Sequence, residues 1–524
     1  MGRSISNATS SLRHFLLPVL SGLLLTLSFP KIGVAALAWI ALIPLLIAID
    51  SGSPRRAFLS GLIFGLVHYS GLLYWVAGVM YNYGNLPITV SVAILLLLVI
   101  YLSLYTAAFA CLIAVTKKAG LGIIITAPIL WVSLEYLRAK LLTGFPWENI
   151  SYTQYTNLYV IQICDILGNY GLSFYIVLVN AVLACLIYSR QAGQNRARAF
   201  KLYIPALLAI SLVYWVYGFY RLQDIEEKIK TSPKIRAAVI QGSIKQDLKW
   251  SPLWQRETIN IYDALSREAT RGFDTDILIW PETAAPFYFQ DGGPLSDTIL
   301  RLTGDLKTNL LFGAPAYAKA ENGKTLYLNS AYLLSAGEGA IHRYDKIHLV
   351  PFGEYVPARS LLPFAGKLVA SVGDFTPGHS LKPLTAGRTR LGVLICFESI
   401  FPELARQQVR NGANLLVNIT NDAWFGRSSA PYQHMSMAVF RAVENRISLA
   451  RAANTGISLF VRPTGEITQA TSLFTPAFLR EEIALVSEKT VYNQWGEFFP
   501  VICFILGIMV IFYTGWRINH VNRT

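Results

Sequence analysis

Long apolar segments separated by short polar loops occupy the first 220 residues of the chain, and one more apolar segment lies near its end. Most of them approach or exceed the ~18 apolar residues that a membrane-spanning helix requires. The pattern predicts a polytopic α-helical membrane bundle of about eight helices, of which the first two are the shortest. These segments cover 14–29, 33–49, 57–80, 87–115, 119–137, 168–189, 201–220 and 498–514.

Residues 221–495 have a different pattern, in which charges of both signs separate short runs rich in β-forming residues. Helical stretches such as 253–270 and 432–450 lie between some of these runs. A segment of this length can bury one substantial α/β core. We therefore predict three parts: a seven-helix transmembrane bundle over 1–220, an α/β domain over 221–495, and an eighth helix with a tail over 496–524.

Composition and charge agree with a membrane protein. Hydrophobic residues make up 53% of the chain and charged residues 15%, whereas soluble domains carry about 25% charged residues. The net charge of +14 is divided among short clusters between apolar segments, so we expect no nucleic-acid partner. Basic clusters occur in every second loop, while the loop over 81–86 is uncharged. The positive-inside rule then places both termini in the cytoplasm and 221–495 across the membrane.

The chain has five cysteines, and four of them lie in or beside apolar segments, where a free cysteine behaves as a small hydrophobe. Cys396 alone lies in the α/β region, directly after the apolar run 391–395. It is therefore either core filler or a reactive thiol. The histidines of this region lack metal-ligand spacing, and no phosphate-binding glycine motif occurs. We accordingly predict no metal and no cofactor.

Two more chemically active side chains follow β-type runs. Glu282 ends the motif Trp-Pro-Glu after the run 276–280, and Lys346 follows Tyr344 and Asp345 at the end of another β-type run. Because open α/β sheets place their sites at the carboxyl ends of strands, these residues can meet Cys396. A carboxylate can take a thiol proton and a lysine can stabilise an oxyanion, so the three form a complete acyl-transfer set. Taken singly, Glu282 also fits a helix-start contact and Lys346 a solvated loop charge.

Together these motifs resemble the carbon–nitrogen hydrolase, or nitrilase, superfamily. They read WPE at 280–282, DKIHLVPFGE at 345–354 and CFE at 396–398. The extended lysine motif and the flanking membrane helices resemble one branch, the bacterial apolipoprotein N-acyltransferases. The resemblance covers nearly the whole chain. It implies a nitrilase-like α-β-β-α sandwich, a multi-pass protein of the inner membrane, and a periplasmic catalytic domain.

The same resemblance implies roles for individual residues. Glu282 would be the general base, Lys346 would stabilise the oxyanion, and Cys396 would carry the acyl group as a thioester. Phe397 stands where the family commonly has tyrosine, which puts the contact of that hydroxyl in doubt. The residues implied in substrate binding or in support of the site are Trp250, Asn329, Glu354, Phe397 and Glu398.

The implied reaction is a two-step N-acyl transfer. The donor would be a phospholipid, usually phosphatidylethanolamine, and the acceptor the N-terminal amine of a diacylglyceryl-cysteine in an apolipoprotein. Apolar loops over 284–290 and 355–371 would either pack as ordinary loops or face lipid and exclude water. Two alternatives stay open: a membrane-tethered nitrilase or amidase that uses water as the acceptor, and a transporter or binding protein with a degenerate domain.

Overall fold

The computed structural model describes residues 2–49, 53–191, 196–336, 340–356 and 375–521. By contacts between residues, the chain divides into two compact units. The first comprises Met1–Gly78, Pro87–Tyr220 and Glu497–Thr524, and the second comprises Val79–Leu86 and Arg221–Gly496. The loop expected over 355–371 lies outside the described residues apart from its first two positions.

The N-terminal part of the chain is helical. Its helices are α1 (Gly2–Ser28), α2 (Ile43–Ala48), α3 (Pro54–Leu73), α4 (Trp75–Tyr83), α5 (Ile88–Lys118), α6 (Ile123–Lys140), α7 (Leu158–Ile161), α8 (Cys164–Gln191) and α9 (Arg196–Thr231). The segment expected as one helix over 33–49 is instead a 3₁₀ turn, Ala35–Trp39, followed by α2. Pro44 lies in the first turn of α2, where its missing N–H does not interrupt a helical hydrogen bond.

The second unit contains two six-stranded sheets. Its strands are β1 (Lys234–Gln241), β2 (Ile277–Ile279), β3 (Asn309–Lys319), β4 (Thr325–Leu334), β5 (Ile341–Asp345), β6 (Leu384–Ala386), β7 (Thr389–Ile395), β8 (Leu415–Thr420), β9 (Leu449–Ala453), β10 (Leu459–Val461), β11 (Ile467–Ala470) and β12 (Ala477–Ala484). One sheet has the order β12-β1-β2-β3-β4-β5 and the other the order β11-β10-β9-β8-β7-β6. The pairs β1–β2, β2–β3, β7–β8 and β8–β9 are parallel.

Helices cover the outer faces of these sheets. They are α10 (Pro252–Thr270), α11 (Pro294–Leu306), α12 (Pro402–Arg410), α13 (Ala430–Asn445) and the short α14 (Val491–Trp495). Along β1, Ala237 and Val239 pack in a core shared with Val393 of the other sheet. The alternate residue, Ala238, packs in a second core with Ile259 of α10. Because both faces of the strands are buried, the strands are almost continuously apolar, and the expected α-β-β-α sandwich is confirmed.

After the second unit, the chain forms a last helix, α15 (Phe498–Val521). Five described helices are long and apolar enough to cross a membrane: Pro54–Leu73, Ile88–Lys118, Cys164–Ile187, Tyr203–Thr231 and Phe498–His520. Two shorter apolar helical segments cover His14–Ser28 and Ala35–Ala48. The expectation of a polytopic helical bundle is confirmed, and its helix count is approximate because the second and third expected helices are each divided in two.

Candidate active site

Three strand ends meet in the second unit. Glu282 follows β2 by three residues, Lys346 directly follows β5, and Cys396 directly follows β7. The ammonium nitrogen of Lys346 lies 3.8 Å from Glu282 Oε1. The charges of both residues act on the thiol of Cys396. The structure thus brings together the three residues that the strand-end argument selected.

Cys396 lies on a left-handed turn with a φ of 52°. A non-glycine residue in that conformation costs about 1–3 kcal/mol and persists only where neighbouring contacts enforce it. Part of the residue remains accessible, yet burial raises the pKa of its thiol, and the Glu282 carboxylate raises it further. The Lys346 ammonium opposes this increase. The resting group is therefore a thiol, and it needs a base before it can attack.

Glu282 is held by hydrogen bonds to both carboxylate oxygens. Asn329 Nδ2 donates to Oε1 at 2.8 Å, and the main-chain N–H of Asn421 donates to Oε2 at 2.9 Å. The backbone beside it is crowded, because a Cβ atom at Gly313 would lie 2.6 Å from Glu282 Cα. Only glycine fits at that position without displacing the carboxylate.

Lys346 is 1% exposed and pairs with Glu354, whose Oε1 lies 2.9 Å from the lysine Nζ. Burial by itself would lower the pKa of Lys346, but Glu354 and Glu282 outweigh it and raise the pKa. The lysine therefore stays an ammonium group. Glu354 also accepts hydrogen bonds from Asn329 Nδ2 at 2.8 Å and from the Val350 N–H at 2.8 Å.

Glu398 holds the backbone next to the nucleophile. The main-chain N–H groups of Ile347 and Ile395 each donate to its carboxylate at 2.7 Å, which ties the residues after β5 to the end of β7. The Tyr344 hydroxyl also donates to this carboxylate, at 3.0 Å. Burial raises the pKa of Glu398 to about 7, against the effect of these backbone hydrogen bonds. Glu398 therefore links the lysine segment to the cysteine turn.

Phe397 is 9% exposed and packs among aromatic rings. Its ring centroid lies 5.2 Å from that of Phe401 and 6.0 Å from that of His348. The residue next to the nucleophile is thus fixed by ring packing. A hydroxyl group is not required for that packing.

Trp250 is exposed and lines a cavity of about 590 Å³. The other lining side chains are mostly aromatic rings, prolines and apolar groups, and include Phe287, Tyr288 and Tyr327. The loop over 284–290 shows the ordinary packing expected for it at several positions, and its contact with lipid stays a prediction. Phe287 and Tyr288 line this cavity, Phe287 also packs against the core, and Ala284, Ala285 and Phe289 are buried within that core.

Several residues at the site were not selected from the sequence. Lys249 is fully buried, and its ammonium group donates to the main-chain oxygen of Glu282 at 3.3 Å. Burial lowers the pKa of Lys249 to about 7, with the Glu282 charge acting in the opposite direction. Asn421 follows β8, so the same strand-end rule would have identified it. Among the described residues, no group of three or more His, Cys, Asp or Glu side chains could hold a metal ion.

Two family models match different parts of this chain. Residues 21–182 match the family model described as the apolipoprotein N-acyltransferase N-terminal domain, and residues 236–490 match the carbon-nitrogen hydrolase model. An apolipoprotein N-acyltransferase of Geobacter metallireducens is 50% identical over 98% of this chain and 97% of its own length. That of Methylococcus capsulatus is 33% identical over 97% of each chain.

Solved structures match about half of this chain. A carbon-nitrogen hydrolase of Helicobacter pylori is 20% identical, with a TM-score of 0.37, over 51% of this chain and 94% of its own. An amidase of Nesterenkonia is 21% identical, with a TM-score of 0.37, over 50% of this chain and 95% of its own. The full-length sequence matches are far more extensive, and they show that the chain belongs to the apolipoprotein N-acyltransferase family.

Proposed function

We propose that the protein transfers an acyl chain from a membrane phospholipid to the N-terminal amine of a diacylglyceryl-cysteine in an apolipoprotein. Family membership supports the acyltransferase activity and the lipoprotein acceptor. The observation that carries the mechanism is the arrangement of Lys346, with Nζ 2.9 Å from Glu354 and 3.8 Å from Glu282. A fixed cation and a nearby carboxylate thus act on one thiol.

In the first step, Glu282 takes the thiol proton while the sulfur of Cys396 attacks the ester carbonyl of the phospholipid. Lys346 stabilises the negative oxygen that develops, since it remains an ammonium group. The tetrahedral intermediate then expels the lysophospholipid oxygen, which receives the proton from Glu282. The acyl group is left on Cys396 as a thioester, and Glu282 is again a carboxylate.

In the second step, the acceptor amine attacks the thioester carbonyl. Glu282 takes a proton from the attacking nitrogen, and Lys346 again stabilises the oxyanion. The intermediate expels the Cys396 sulfur, which receives that proton from Glu282, and the amide product leaves. The reaction is therefore ping-pong, and each residue finishes in the protonation state in which it began.

The cavity beside Trp250 supports a lipid substrate. Its aromatic lining, which includes Phe287 and Tyr288, favours an acyl chain over a polar acceptor. A substrate chain taken from the bilayer needs such a surface, because exposing each CH₂ group to water costs about 0.8 kcal/mol.

We further propose that phosphatidylethanolamine is the donor and that the protein lies in the inner membrane. The basic loops support cytoplasmic termini and a periplasmic catalytic domain over 221–495, with membrane parts over 1–220 and 496–524. Vesicles that contain one phospholipid class at a time would test the donor. Thioester yield should be highest with phosphatidylethanolamine, and equal yields from all headgroups would contradict that choice.

The main experiment follows both half-reactions by mass spectrometry. Full-length protein in phospholipid vesicles should gain one acyl chain at Cys396, and a diacylated lipopeptide added next should take that chain up. Cys396→Ala should abolish both steps, whereas Glu282→Gln and Lys346→Ala should prevent thioester formation. A normal acyl-enzyme in either of the last two variants would contradict the assigned roles.

The competing hydrolase function predicts a different product. If water were the acceptor, the vesicles would release free fatty acid and the lipopeptide would keep its mass. Family membership does not favour this alternative. The transporter hypothesis predicts that Cys396→Ser leaves function intact, and the charges arranged around that thiol argue against it.

A further inference from the structure

The main-chain carbonyl of Cys396 accepts hydrogen bonds from three side chains. Ser399 Oγ lies 3.1 Å from this oxygen, His434 Nε2 lies 3.1 Å from it, and Asn418 Nδ2 lies 3.4 Å from it. Ser399 is on the turn that follows β7, whereas Asn418 and His434 belong to β8 and α13. Two other elements of the sandwich, β8 and α13, therefore hold the peptide unit that follows Cys396.

Two neighbours of His434 Nε2 bear on where the imidazole carries its proton: the Cys396 carbonyl oxygen at 3.1 Å and Ser399 Oγ at 3.0 Å. A carbonyl oxygen only accepts hydrogen bonds, so His434 holds the Cys396 carbonyl in the states that carry a proton on Nε2, whereas an unprotonated Nε2 accepts from the Ser399 hydroxyl instead. The other nitrogen, Nδ1, lies 3.0 Å from Asp422 Oδ1 and 3.1 Å from Arg451 Nη2. One of these neighbours can accept a hydrogen bond and the other can donate one. Both the neutral ring and the imidazolium can thus keep Nε2–H directed at the carbonyl.

Asp422 and Arg451 anchor this histidine. Arg451 Nη2 donates to Asp422 Oδ2 at 2.9 Å, and both side chains are fully buried. Burial would raise the pKa of Asp422, but the Arg451 guanidinium, together with His434 and the Thr420 hydroxyl, outweighs it and holds the pKa at about 2. Thr420 extends the network, because its hydroxyl donates to Asp422 Oδ1 at 3.0 Å and also contacts the Cys396 thiol. The network therefore contacts both the carbonyl and the thiol of Cys396.

We propose that His434, anchored by Asp422 and Arg451, is a positioning residue that holds the Cys396 carbonyl and so directs the thiol towards Glu282 and Lys346. This inference rests on the proposed role of Cys396 as the nucleophile. The left-handed backbone at Cys396, with a φ of 52°, needs such an external restraint. In this role His434 acts through the peptide carbonyl with Nε2 protonated, and a protonated Nε2 has no lone pair with which to take the thiol proton.

Replacing His434 by glutamine or by alanine separates positioning from base catalysis. A glutamine amide can donate to the carbonyl as Nε2–H does, but it cannot act as a base. In phospholipid vesicles, His434→Ala should slow thioester formation about 100-fold, the effect expected when a reacting group moves by about 1 Å. His434→Gln should remain within about tenfold of the wild-type rate, which corresponds to one weakened hydrogen bond. Equal losses in both variants, or none in His434→Ala, would overturn the proposal.

Asn445→Ala provides a matched control on the same helix. Asn445 is 1% exposed and bonds Arg441 and Asn493, so its loss should lower the unfolding temperature without changing thioester formation. A rate loss in this variant equal to that of His434→Ala would reveal a general packing effect and contradict positioning.

A second readout does not need the phospholipid reaction. Iodoacetamide alkylates the Cys396 thiolate directly, and mass spectrometry gives the rate at that residue. His434→Ala should be alkylated more slowly than the wild type, and His434→Gln should be close to the wild type. This order would support positioning even if no acyl-thioester formed, in which case only the proposed function would fail. Alkylation of His434→Ala at the wild-type rate would contradict the positioning role.

Discussion

The ammonium group of Lys346 lies closer to Glu354 than to Glu282. Its Nζ is 2.9 Å from Glu354 Oε1 and 3.8 Å from Glu282 Oε1. Glu354 therefore balances most of the lysine charge and fixes its position. Glu282 remains near enough to share the site, but it is not committed to a tight ion pair that would weaken it as a base. The two carboxylates thus have separate roles: Glu354 holds the lysine, and Glu282 remains available as the base.

Glu354→Gln tests this division. The amide keeps one acceptor oxygen but replaces the other with NH₂, which cannot accept from either Lys346 or the Val350 N–H. The lysine should then move towards Glu282, and thioester formation should fall about 10- to 100-fold, as for other residues that orient a catalytic group. Single-turnover mass spectrometry measures that rate. Glu321→Gln on an exposed loop is the control, and an unchanged rate in Glu354→Gln would contradict the division.

Gly313→Ala tests whether the close approach of β3 to the backbone of Glu282 positions this base. The added Cβ would lie 2.6 Å from Glu282 Cα and 2.5 Å from the Thr283 nitrogen, so one of the two segments must shift. We expect thioester formation to fall about 100-fold, because Glu282 leaves its reactive position. The measurement is the same acylation rate, with the unfolding temperature recorded in parallel.

Gly304→Ala is the matched control for that variant. Gly304 lies in α11, and a Cβ there meets no atom within 4 Å. This change should stabilise the helix by about 0.5–1 kcal/mol and leave acylation unchanged. Retention of full activity by Gly313→Ala would show that the close approach does not position Glu282.

The strand-end rule could select Glu282 and Cys396 because each follows a recognisable apolar run, and it could select Lys346 although the β-type run before it, IHRYD, is mostly polar. It also places Asn421, which follows β8, at the same sheet edge, but it could not show which contacts hold the three residues. Glu282 is bound by a main-chain N–H of Asn421, and any residue type can supply that group. Gly313 lies beside Glu282 because β3 pairs with β2 in the sheet. The sequence alone does not show that pairing.

The helices show a related limit. Hydrophobicity predicted where apolar segments lie, but it does not indicate where the backbone turns. The segment 57–80 became α3 and α4 although its composition is mostly apolar. His434 shows the same limit for side chains, since metal-ligand spacing is irrelevant to a histidine that donates to a carbonyl. Its role depends on packing between α13 and the turn after β7.

Phe397→Tyr asks whether the hydroxyl expected from the family matters here. Phe397 already packs against Phe401 at 5.2 Å between ring centroids, so the added oxygen should change stability by less than about 1.5 kcal/mol. Thioester formation should stay close to the wild-type rate. Phe397→Ala, which removes the ring packing, should lower both the unfolding temperature and the rate. A large acceleration in Phe397→Tyr would show instead that the missing hydroxyl limits the site.

Lys249→Met tests the cost of the buried lysine next to the base. Burial lowers the pKa of Lys249 to about 7 in the folded protein, whereas an unfolded lysine titrates near 10.4. The unfolded chain therefore binds more protons between these values, and wild-type stability should rise as pH increases from about 7 to 10. Methionine removes this titration, so Lys249→Met should unfold at a higher temperature than the wild type at pH 7, by an amount that shrinks towards pH 10. Thermal unfolding of the full-length proteins in detergent, over that pH series, gives the difference directly. A difference that stays constant with pH would mean that Lys249 keeps its proton throughout, held by Glu282 strongly enough to offset its burial.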